Sequence, residues 1–204
     1  LQKMGREVIL VSSGAIAEGV LRLGWEKRPS HVHQLQAAAA VGQMGLVEAY
    51  ERHFRNHGIG TAQVLLTHQN LTDREQDLNA RMTIRELLRL SIVPVINEND
   101  TISTEEFGIG DNDTLSAIVA VTIQADLLIL LSDIDGLFDG DPRKNPDAKL
   151  IDTVEKIDEH IISLGGGSGS NLGTGGMATK LTAAKIATLS GTDMIIANGA
   201  DVCV

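Results

Sequence analysis

The sequence has little of three features that mark other classes of protein. It contains a single cysteine, Cys203, which leaves no partner for an internal disulfide and is typical of a protein in the reducing cytoplasm. Aromatic residues make up only 2% of the chain, too few for a surface on which nucleic-acid bases stack. The longest apolar runs, such as Leu127 to Leu131, are far too short to cross a bilayer.

Positive charge is also scarce. The chain carries 17 lysines and arginines against 27 aspartates and glutamates, a formal net charge of −10. This balance disfavours binding to nucleic acid or to an anionic membrane surface. The length of 204 residues and the hydrophobic fraction of 43% are those of an ordinary globular protein. We therefore expect a cytoplasmic protein in which residues 1–204 form one domain.

Short apolar runs alternate with segments of helical composition along the chain. The predicted strands are residues 7–12, 62–67, 92–96, 127–131 and 193–197. The predicted helices are 31–57, with a break at Gly42 and Gly45, and 73–90, 113–124 and 177–189. Another helix is predicted to follow the turn at 12–14, and residues 1–5 are predicted to be the end of a helix. This alternation predicts an α/β fold with a parallel sheet, whose ligands bind beyond the carboxyl ends of the strands.

Polar residues follow the predicted strands at that edge of the sheet. Ser12 and Ser13 come after the first strand, where a serine either caps the next helix or presents its hydroxyl to a ligand. The segments NEND (97–100) and GDND (110–113) enclose the loop after the third strand. Aspartate and asparagine favour turns, but two such clusters also offer acceptors for a ligand ammonium group. A calcium loop is excluded because its D-x-D-x-D-G spacing is absent.

Two further segments allow a structural and a functional interpretation. SDIDGLFDGDPR (132–143) is either a surface turn or a loop that folds over a nucleotide, with Asp133 near a phosphate-bound metal ion. Residues 165–180 hold seven of the 21 glycines and end on Lys180. They form either a flexible linker or a phosphate-binding segment, because the last glycines open a helix whose N–H groups and dipole favour an anion. The pattern does not match a Walker motif.

Eight segments together resemble the glutamate 5-kinases (gamma-glutamyl kinases) of the amino acid kinase family. They are VSSGAIAEG (11–19), QAAAAVGQ (36–43), LLT (65–67), LNAR (78–81), PVINEND (94–100), GDND (110–113), SDIDGLF (132–138) and GTGGMATK (173–180). The resemblance implies a three-layer α/β sandwich with a mainly parallel central sheet. Family members begin with a strand that carries a lysine and a glycine-serine loop. The sequence starts after both, so we expect an N-terminally truncated domain with impaired turnover, and no PUA domain within these residues.

The resemblance also implies a role for individual residues. Ser13, Asp100 and Asn112 match the groups that bind glutamate, the last two at its α-amino end. Lys180 matches the lysine over the transferring phosphoryl group, and Asp113 matches an aspartate that positions catalytic lysines. The residues that match the nucleotide site are Ser132, Asp133, Thr174, Gly175, Gly176, Met177, Ala178, Thr179 and Lys180.

These matches imply ATP-dependent phosphorylation of the L-glutamate γ-carboxylate, the first step of proline biosynthesis. A carboxylate with a pKa near ~4.3 is already ionised at neutral pH, so the reaction needs no general base. The resemblance implies Mg²⁺ with the ATP, no protein metal ligands, feedback inhibition by proline and a homo-oligomer. Two alternatives stay open at this point, a regulatory pseudo-kinase that binds these ligands without turnover and another kinase of the same family.

Overall fold

The computed structural model describes residues 1–102, 112–166 and 176–200, which divide into two compact units, Leu1–Asn112 and Asp113–Val204. The described elements of the first unit are a 3-10 helix (Gln2–Met4), β1 (Leu10–Val11), α1 (Ala15–Arg22), α2 (Val32–Arg55), β2 (Gly60–Leu66), α3 (His68–Thr72), α4 (Arg74–Arg89) and β3 (Ile92–Glu98). Helix α5 (Asn112–Ile123) begins on the last residue of this unit. The second unit continues with β4 (Leu127–Ser132), α6 (Glu159–Leu164), α7 (Met177–Leu189) and β5 (Asp193–Asn198).

All described strand pairs are parallel, as the alternation of strands and helices predicts. In the first unit the strand order is β1-β3-β2, so β3 lies in the centre. Its side chains Val93, Val95 and Ile96 are buried, because both neighbouring strands and the covering helices exclude water from them. The carboxyl ends of the three strands lie at one edge, where Val11 pairs with Ile96 and Leu66 with Glu98.

The second unit is built around the parallel pair β4 and β5. Leu128 and Leu130 alternate with more exposed neighbours along β4 and pack with alanines of α5 and α7. Small residues on both helices, such as Ala117 and Ala183, let the helices approach the strands closely. None of the helices in the described ranges combines the length and the apolar character that a bilayer crossing needs.

The predicted break in α2 is wrong, because the helix runs without interruption from Val32 to Arg55. The glycine at 42 serves a close helix contact instead. A Cβ atom added there would lie 1.8 Å from the Ala15 carbonyl oxygen of α1, and one added at Gly19 of α1 would lie 1.7 Å from the Ala38 carbonyl oxygen. The two helices therefore cross at a distance that only glycine permits.

Three other details differ from the predicted elements. The first strand is limited to Leu10–Val11, the two residues that pair with β3. Helices α3 and α6 were not predicted, since five or six residues are too short to show a helical period. Local capping stabilises them instead. Thr67 and Asn70 form a reciprocal capping box on α3, and the Asp158 carboxylate accepts the Ile161 N–H on α6.

Candidate functional site

The turn between β1 and α1 contains two serines with different surroundings. Gly14, at φ +95°, is the N-cap of α1, and no side chain caps this helix. Ser12 is buried and its Oγ lies 3.0 Å from the Tyr50 hydroxyl, so neither serine serves as the helix cap. Ser13 is exposed, and within the described residues its hydroxyl has no hydrogen-bond partner. The capping interpretation is therefore wrong for both serines, and the contact of Ser13 with a ligand stays a prediction.

Three carboxamide side chains are joined by hydrogen bonds at the end of β3. Asn97 is 1% exposed, and its Nδ2 donates to Gln43 Oε1 of α2 over 2.8 Å. Its Oδ1 accepts from two groups, the backbone N–H of Glu98 at 2.9 Å and the Nδ2 of Asn112 at 3.3 Å. We call Gln43, Asn97 and Asn112 the amide chain. It brings Asn112 to the end of β3, beside the NEND segment.

Each end of the amide chain carries a buried polar atom that has no hydrogen-bond partner among the described residues. These atoms are Gln43 Nε2, a donor, and Asn112 Oδ1, an acceptor. A buried polar group that finds no hydrogen bond costs roughly 1–3 kcal/mol. Such a cost is uncommon in a structural core, and it is expected where a ligand supplies the missing partner.

A cavity of about 260 Å³ in the first unit lies beside Gln43, one end of the amide chain. Its lining includes Ala39, Gln43, Met44, Gln63, Glu98 and Asp100. Asp100 is only 9% exposed, and among the described residues its carboxylate accepts no hydrogen bond. Burial, and after it the nearby charge of Glu98, raises the pKa of Asp100 from its ordinary 3.8 to about 6, against the opposing effect of Arg28. An ammonium group that enters the cavity would place a positive charge and hydrogen-bond donors next to the Asp100 carboxylate.

The second unit contains a largely buried ion pair between residues far apart in sequence. Lys180 Nζ of α7 lies 3.0 and 3.2 Å from the two carboxylate oxygens of Asp113, the second residue of α5. The side chains are 9% and 17% exposed. Thr179 Oγ1 lies 2.7 Å from both Asp113 Oδ2 and the Gly176 carbonyl oxygen, and its single proton can serve only one of them at a time. Lys180 is therefore held by Asp113 and is not a lone cation.

Helix α7 begins at Met177 after Gly176, as the glycine-rich segment predicts for its last residues. Gly176 provides no side-chain cap, and the N–H groups of Thr179 and Lys180 both bond to its carbonyl oxygen. The N–H groups of Met177 and Ala178 have no acceptor within the described part of the chain. They point along the positive end of the helix dipole, an arrangement that suits a phosphate. The predicted nucleotide contacts Thr174 and Gly175 lie outside the described residues.

The predicted residues at the end of β4 have exposed surroundings. Ser132 Oγ lies 3.4 Å from Asp133 Oδ1, and the second oxygen of Asp133 accepts from Arg143 Nη2 at 2.7 Å. The side chains of Asp133 and Arg143 are 78% and 71% exposed. Their ion pair therefore lies at the surface, and the roles of Ser132 and Asp133 in a nucleotide site stay a prediction.

Within residues 1–102, 112–166 and 176–200, no three His, Cys, Asp or Glu side chains are grouped closely enough to bind a metal ion. Sequence reasoning assigned no role to Gln43 and included Asn97 only as part of the NEND segment, because the contact between the two residues spans 54 positions of the chain. The signal was weak but present. Gln43 ends a run of small apolar residues on α2, and Asn97 interrupts the apolar strand β3 at its carboxyl end.

The chain is similar to known proteins over nearly its whole length. The model of the amino acid kinase family matches residues 1–198. The glutamate 5-kinase of Bordetella petrii is 57% identical over 199 residues, which are 98% of this chain and 53% of that protein. The glutamate 5-kinase of Chromobacterium violaceum is also 57% identical, over 98% of this chain and 54% of the relative. The chain thus spans about half the length of the curated relatives it matches.

Two solved structures share the fold at low identity. Isopentenyl phosphate kinase from T. acidophilum, in a product complex, aligns with a TM-score of 0.59 and 17% identity over 94% of this chain and 75% of its own. E. coli aspartokinase III, in complex with aspartate and ADP, aligns with a TM-score of 0.60 and 14% identity over 91% of this chain and 42% of its own. These likenesses confirm the predicted α/β fold.

Proposed function

The chain belongs to the amino acid kinase family, and from that premise we propose that it catalyses the ATP-dependent phosphorylation of the γ-carboxylate of L-glutamate. The product is L-glutamyl 5-phosphate, the first intermediate of proline biosynthesis. The identity of 57% to the glutamate 5-kinases of two bacteria supports this substrate over those of other family members. In this proposal residues 1–204 form one kinase domain.

The observation that carries the proposal is the set of unpaired groups at the end of β3. Within the described part of the chain, the buried carboxylate of Asp100 accepts no hydrogen bond and the buried Asn112 Oδ1 has no donor. An α-ammonium group donates up to three hydrogen bonds, and its positive charge compensates the negative charge of Asp100. We assign Asp100 and Asn112 to the α-amino end of glutamate, and the free hydroxyl of Ser13 to another polar atom of the same substrate.

The nucleotide is assigned to the second unit. The unpaired N–H groups at the start of α7 suit a phosphate, and Lys180 lies one turn into that helix. Aspartokinase III of similar fold was solved with ADP, which supports a nucleotide in this fold. We place Gly176 through Lys180 at the phosphates, with Thr174 and Gly175 preceding them. Ser132 and Asp133 are assigned to the nucleotide from sequence resemblance alone.

The chemical step is the attack of a γ-carboxylate oxygen on the γ-phosphorus of ATP. A new oxygen–phosphorus bond forms, the bond to the β,γ-bridging oxygen breaks, and ADP leaves with the electron pair. Catalysis of this step depends on positioning and on stabilising the charge of the phosphoryl oxygens. Lys180 supplies positive charge, and Asp113 holds its ammonium group in place at about 3 Å. No residue is needed as a base, because the γ-carboxylate is already ionised.

Mg²⁺ is expected to enter with the ATP phosphates. The described residues form no group of three metal-ligating side chains, and Asp113 is already engaged by Lys180 and Thr179. Mg²⁺ commonly keeps several waters and binds mainly through substrate phosphates, so it does not require a dedicated protein site. When bound, the ion would neutralise phosphate charge. We assign it no ligand in this chain.

The same site explains why proline is our proposed feedback inhibitor. Proline carries an α-ammonium and an α-carboxylate, as glutamate does, and it would compete for Asp100 and Asn112. The homo-oligomer implied by the family resemblance stays a prediction.

Binding and selectivity test the proposed function. Isothermal titration calorimetry of the chain with L-glutamate, L-aspartate, N-acetylglutamate and carbamate should show binding of glutamate in preference to the other three. N-Acetylglutamate is the informative competitor, because its blocked nitrogen cannot pair with Asp100. Preference for N-acetylglutamate or carbamate over glutamate would assign the chain to another kinase of this fold.

A further inference from the structure

The orientation of each amide in the chain Gln43–Asn97–Asn112 follows from one backbone group. The Glu98 N–H lies 2.9 Å from one side-chain atom of Asn97, and a backbone N–H can only donate. That atom must therefore be the Asn97 oxygen. The side-chain nitrogen of Asn97 then faces Gln43, which has to present its own oxygen at 2.8 Å. The Gln43 Nε2 donor is left without a partner in the described ranges.

The same reasoning fixes the other end of the amide chain. The Asn97 oxygen can only accept, so Asn112 has to present its nitrogen there, at 3.3 Å. The Asn112 oxygen then has no partner among the residues that the structure describes. Among the described residues, the amide chain thus leaves a buried donor at Gln43 and a buried acceptor at Asn112 unpaired. Reversing either end would place two donors or two acceptors against each other. The backbone N–H of Glu98 therefore sets the polarity of the whole site.

We propose that Gln43 Nε2 donates a hydrogen bond to the α-carboxylate of the amino-acid substrate, and that Asn97 is the positioning residue that turns this donor toward the cavity. The proposal rests on the proposed function, since it adds a specificity residue to the same glutamate site. Gln43 and Asp100 line one cavity, which offers a donor and a carboxylate to a single ligand. A zwitterion has the complementary pair, an acceptor carboxylate and a donor ammonium on one carbon atom.

The α-carboxylate fits Gln43 better than the γ-carboxylate does. The ammonium is assigned to Asp100 and Asn112, and Asn112 is linked to Gln43 through the single residue Asn97. The substrate carboxylate nearest to the ammonium is the one on the same carbon. The γ-carboxylate has to remain available to attack phosphorus. Gln43 would therefore select α-amino acids over amines that lack the α-carboxylate.

The test combines a change in the protein with a change in the ligand. 4-Aminobutyrate is glutamate without its α-carboxylate, and it keeps the amino group and the other carboxylate. Gln43→Glu keeps an oxygen for Asn97 Nδ2 and replaces the donor by an acceptor. Calorimetry of the wild-type chain should show glutamate binding roughly 10- to 100-fold more tightly than 4-aminobutyrate, the range for one hydrogen bond to a charged group. Gln43→Glu should reduce that ratio to about 1 or below.

A matched control and a second variant separate this role from added charge and from misfolding. Gln63 lines the same cavity, so Gln63→Glu adds the same charge there without removing the proposed donor, and should keep most of the ratio. Asn97→Asp places an oxygen opposite Gln43, which should turn the Gln43 donor away from the cavity and lower the ratio as Gln43→Glu does. Both effects concern the ratio of two ligands, which a general loss of folded protein leaves unchanged.

Each outcome bears on the proposal. A ratio that falls in Gln43→Glu and Asn97→Asp but not in Gln63→Glu supports it. An unchanged ratio in Gln43→Glu, or an equal fall in Gln63→Glu, would overturn the assignment of Gln43 while glutamate binding itself stands. A wild-type chain that does not bind glutamate would overturn the proposed function and this inference together.

Discussion

Replacing Asp100 by asparagine should stabilise the unliganded protein while weakening glutamate binding. The buried carboxylate has a pKa raised from 3.8 to about 6, chiefly by loss of hydration and secondarily by Glu98. At pH 7 the group is ionised in both the folded and the unfolded chain. The ionised carboxylate then favours the unfolded over the folded state by a factor of about a hundred or slightly more. This factor lowers the free energy of unfolding by up to about 3 kcal/mol, at ~1.4 kcal/mol per factor of ten. Asparagine removes that charge with little change in shape.

The dependence on pH identifies the group responsible. A raised folded-state pKa means that the folded protein binds the proton more tightly than the unfolded chain does. Below about pH 3.8 both states are protonated, and Asp100 causes no loss of stability. As the pH rises from about 4 to 6, the unfolded state ionises first and the wild-type loses stability relative to the variant. Above pH 6 to 7 the difference becomes constant.

Urea unfolding followed by tryptophan fluorescence measures this difference. Trp25 is the only tryptophan of the sequence and packs on Ile16, Ala38 and Ala39 of the first unit, so it reports on the unit that contains Asp100. Glu7→Gln is the control, because it removes a charge from an exposed position and should change stability by less than about 0.5 kcal/mol.

Glutamate affinity should fall in Asp100→Asn by roughly 10- to 100-fold, the loss of one charge-assisted hydrogen bond. The two results together are diagnostic of a ligand-binding carboxylate. If Asp100→Asn instead destabilises the unliganded protein and leaves glutamate affinity unchanged, the carboxylate has a structural partner and our assignment of Asp100 is wrong.

Three further predictions concern the helices and the second unit. Gly42→Ala should destabilise the first unit by several kcal/mol in urea unfolding, because its Cβ would lie 1.8 Å from the Ala15 carbonyl oxygen. Gly45→Ala should be much milder, because the atoms nearest to its Cβ belong to the flexible Arg22 side chain. Equal destabilisation by the two variants would contradict the close-packing account. Lys180→Met, in an active protein, should lower kcat by ~10²–10³ and change the glutamate KM by less than about threefold, and an unchanged kcat would remove Lys180 from the mechanism. Asp133→Ala should change stability by less than about 1 kcal/mol, since its ion pair is exposed, and should weaken ATP binding in calorimetry; unaltered ATP affinity would exclude Asp133 from the nucleotide site.

The sequence predicts the elements that have a clear pattern of their own. Strands β3 to β5 and helices α4, α5 and α7 lie within about two residues of their predicted bounds, because the strands are short apolar runs and polar or glycine residues bound the helices. The break in α2 was predicted from the general weakness of glycine in helices, whereas the reason for Gly42 lies on the neighbouring helix α1. No pattern within α2 alone contains that information.

The candidate site shows the same division. The Asp113–Lys180 contact joins residues 67 positions apart. Family resemblance identifies both residues, and in the structure Lys180 Nζ lies 3.0 Å from Asp113 Oδ2. The amide chain could not be predicted, because the orientation of Gln43 depends on a backbone N–H at Glu98 that no side-chain pattern reveals. Hydrogen-bond direction is a property of the folded chain.

The most direct test of the central claim is detection of the acyl phosphate itself. The chain can replace the matching 199 residues of the Bordetella petrii glutamate 5-kinase, which gives a hybrid of the relative's full length. Hydroxylamine added to the reaction with ATP and Mg²⁺ traps glutamyl 5-phosphate as its hydroxamate. We predict hydroxamate that depends on both glutamate and ATP, at a rate within about tenfold of the relative's own. A folded hybrid that forms none with glutamate, or that forms it faster with aspartate, while the relative is active under the same conditions, would contradict the account.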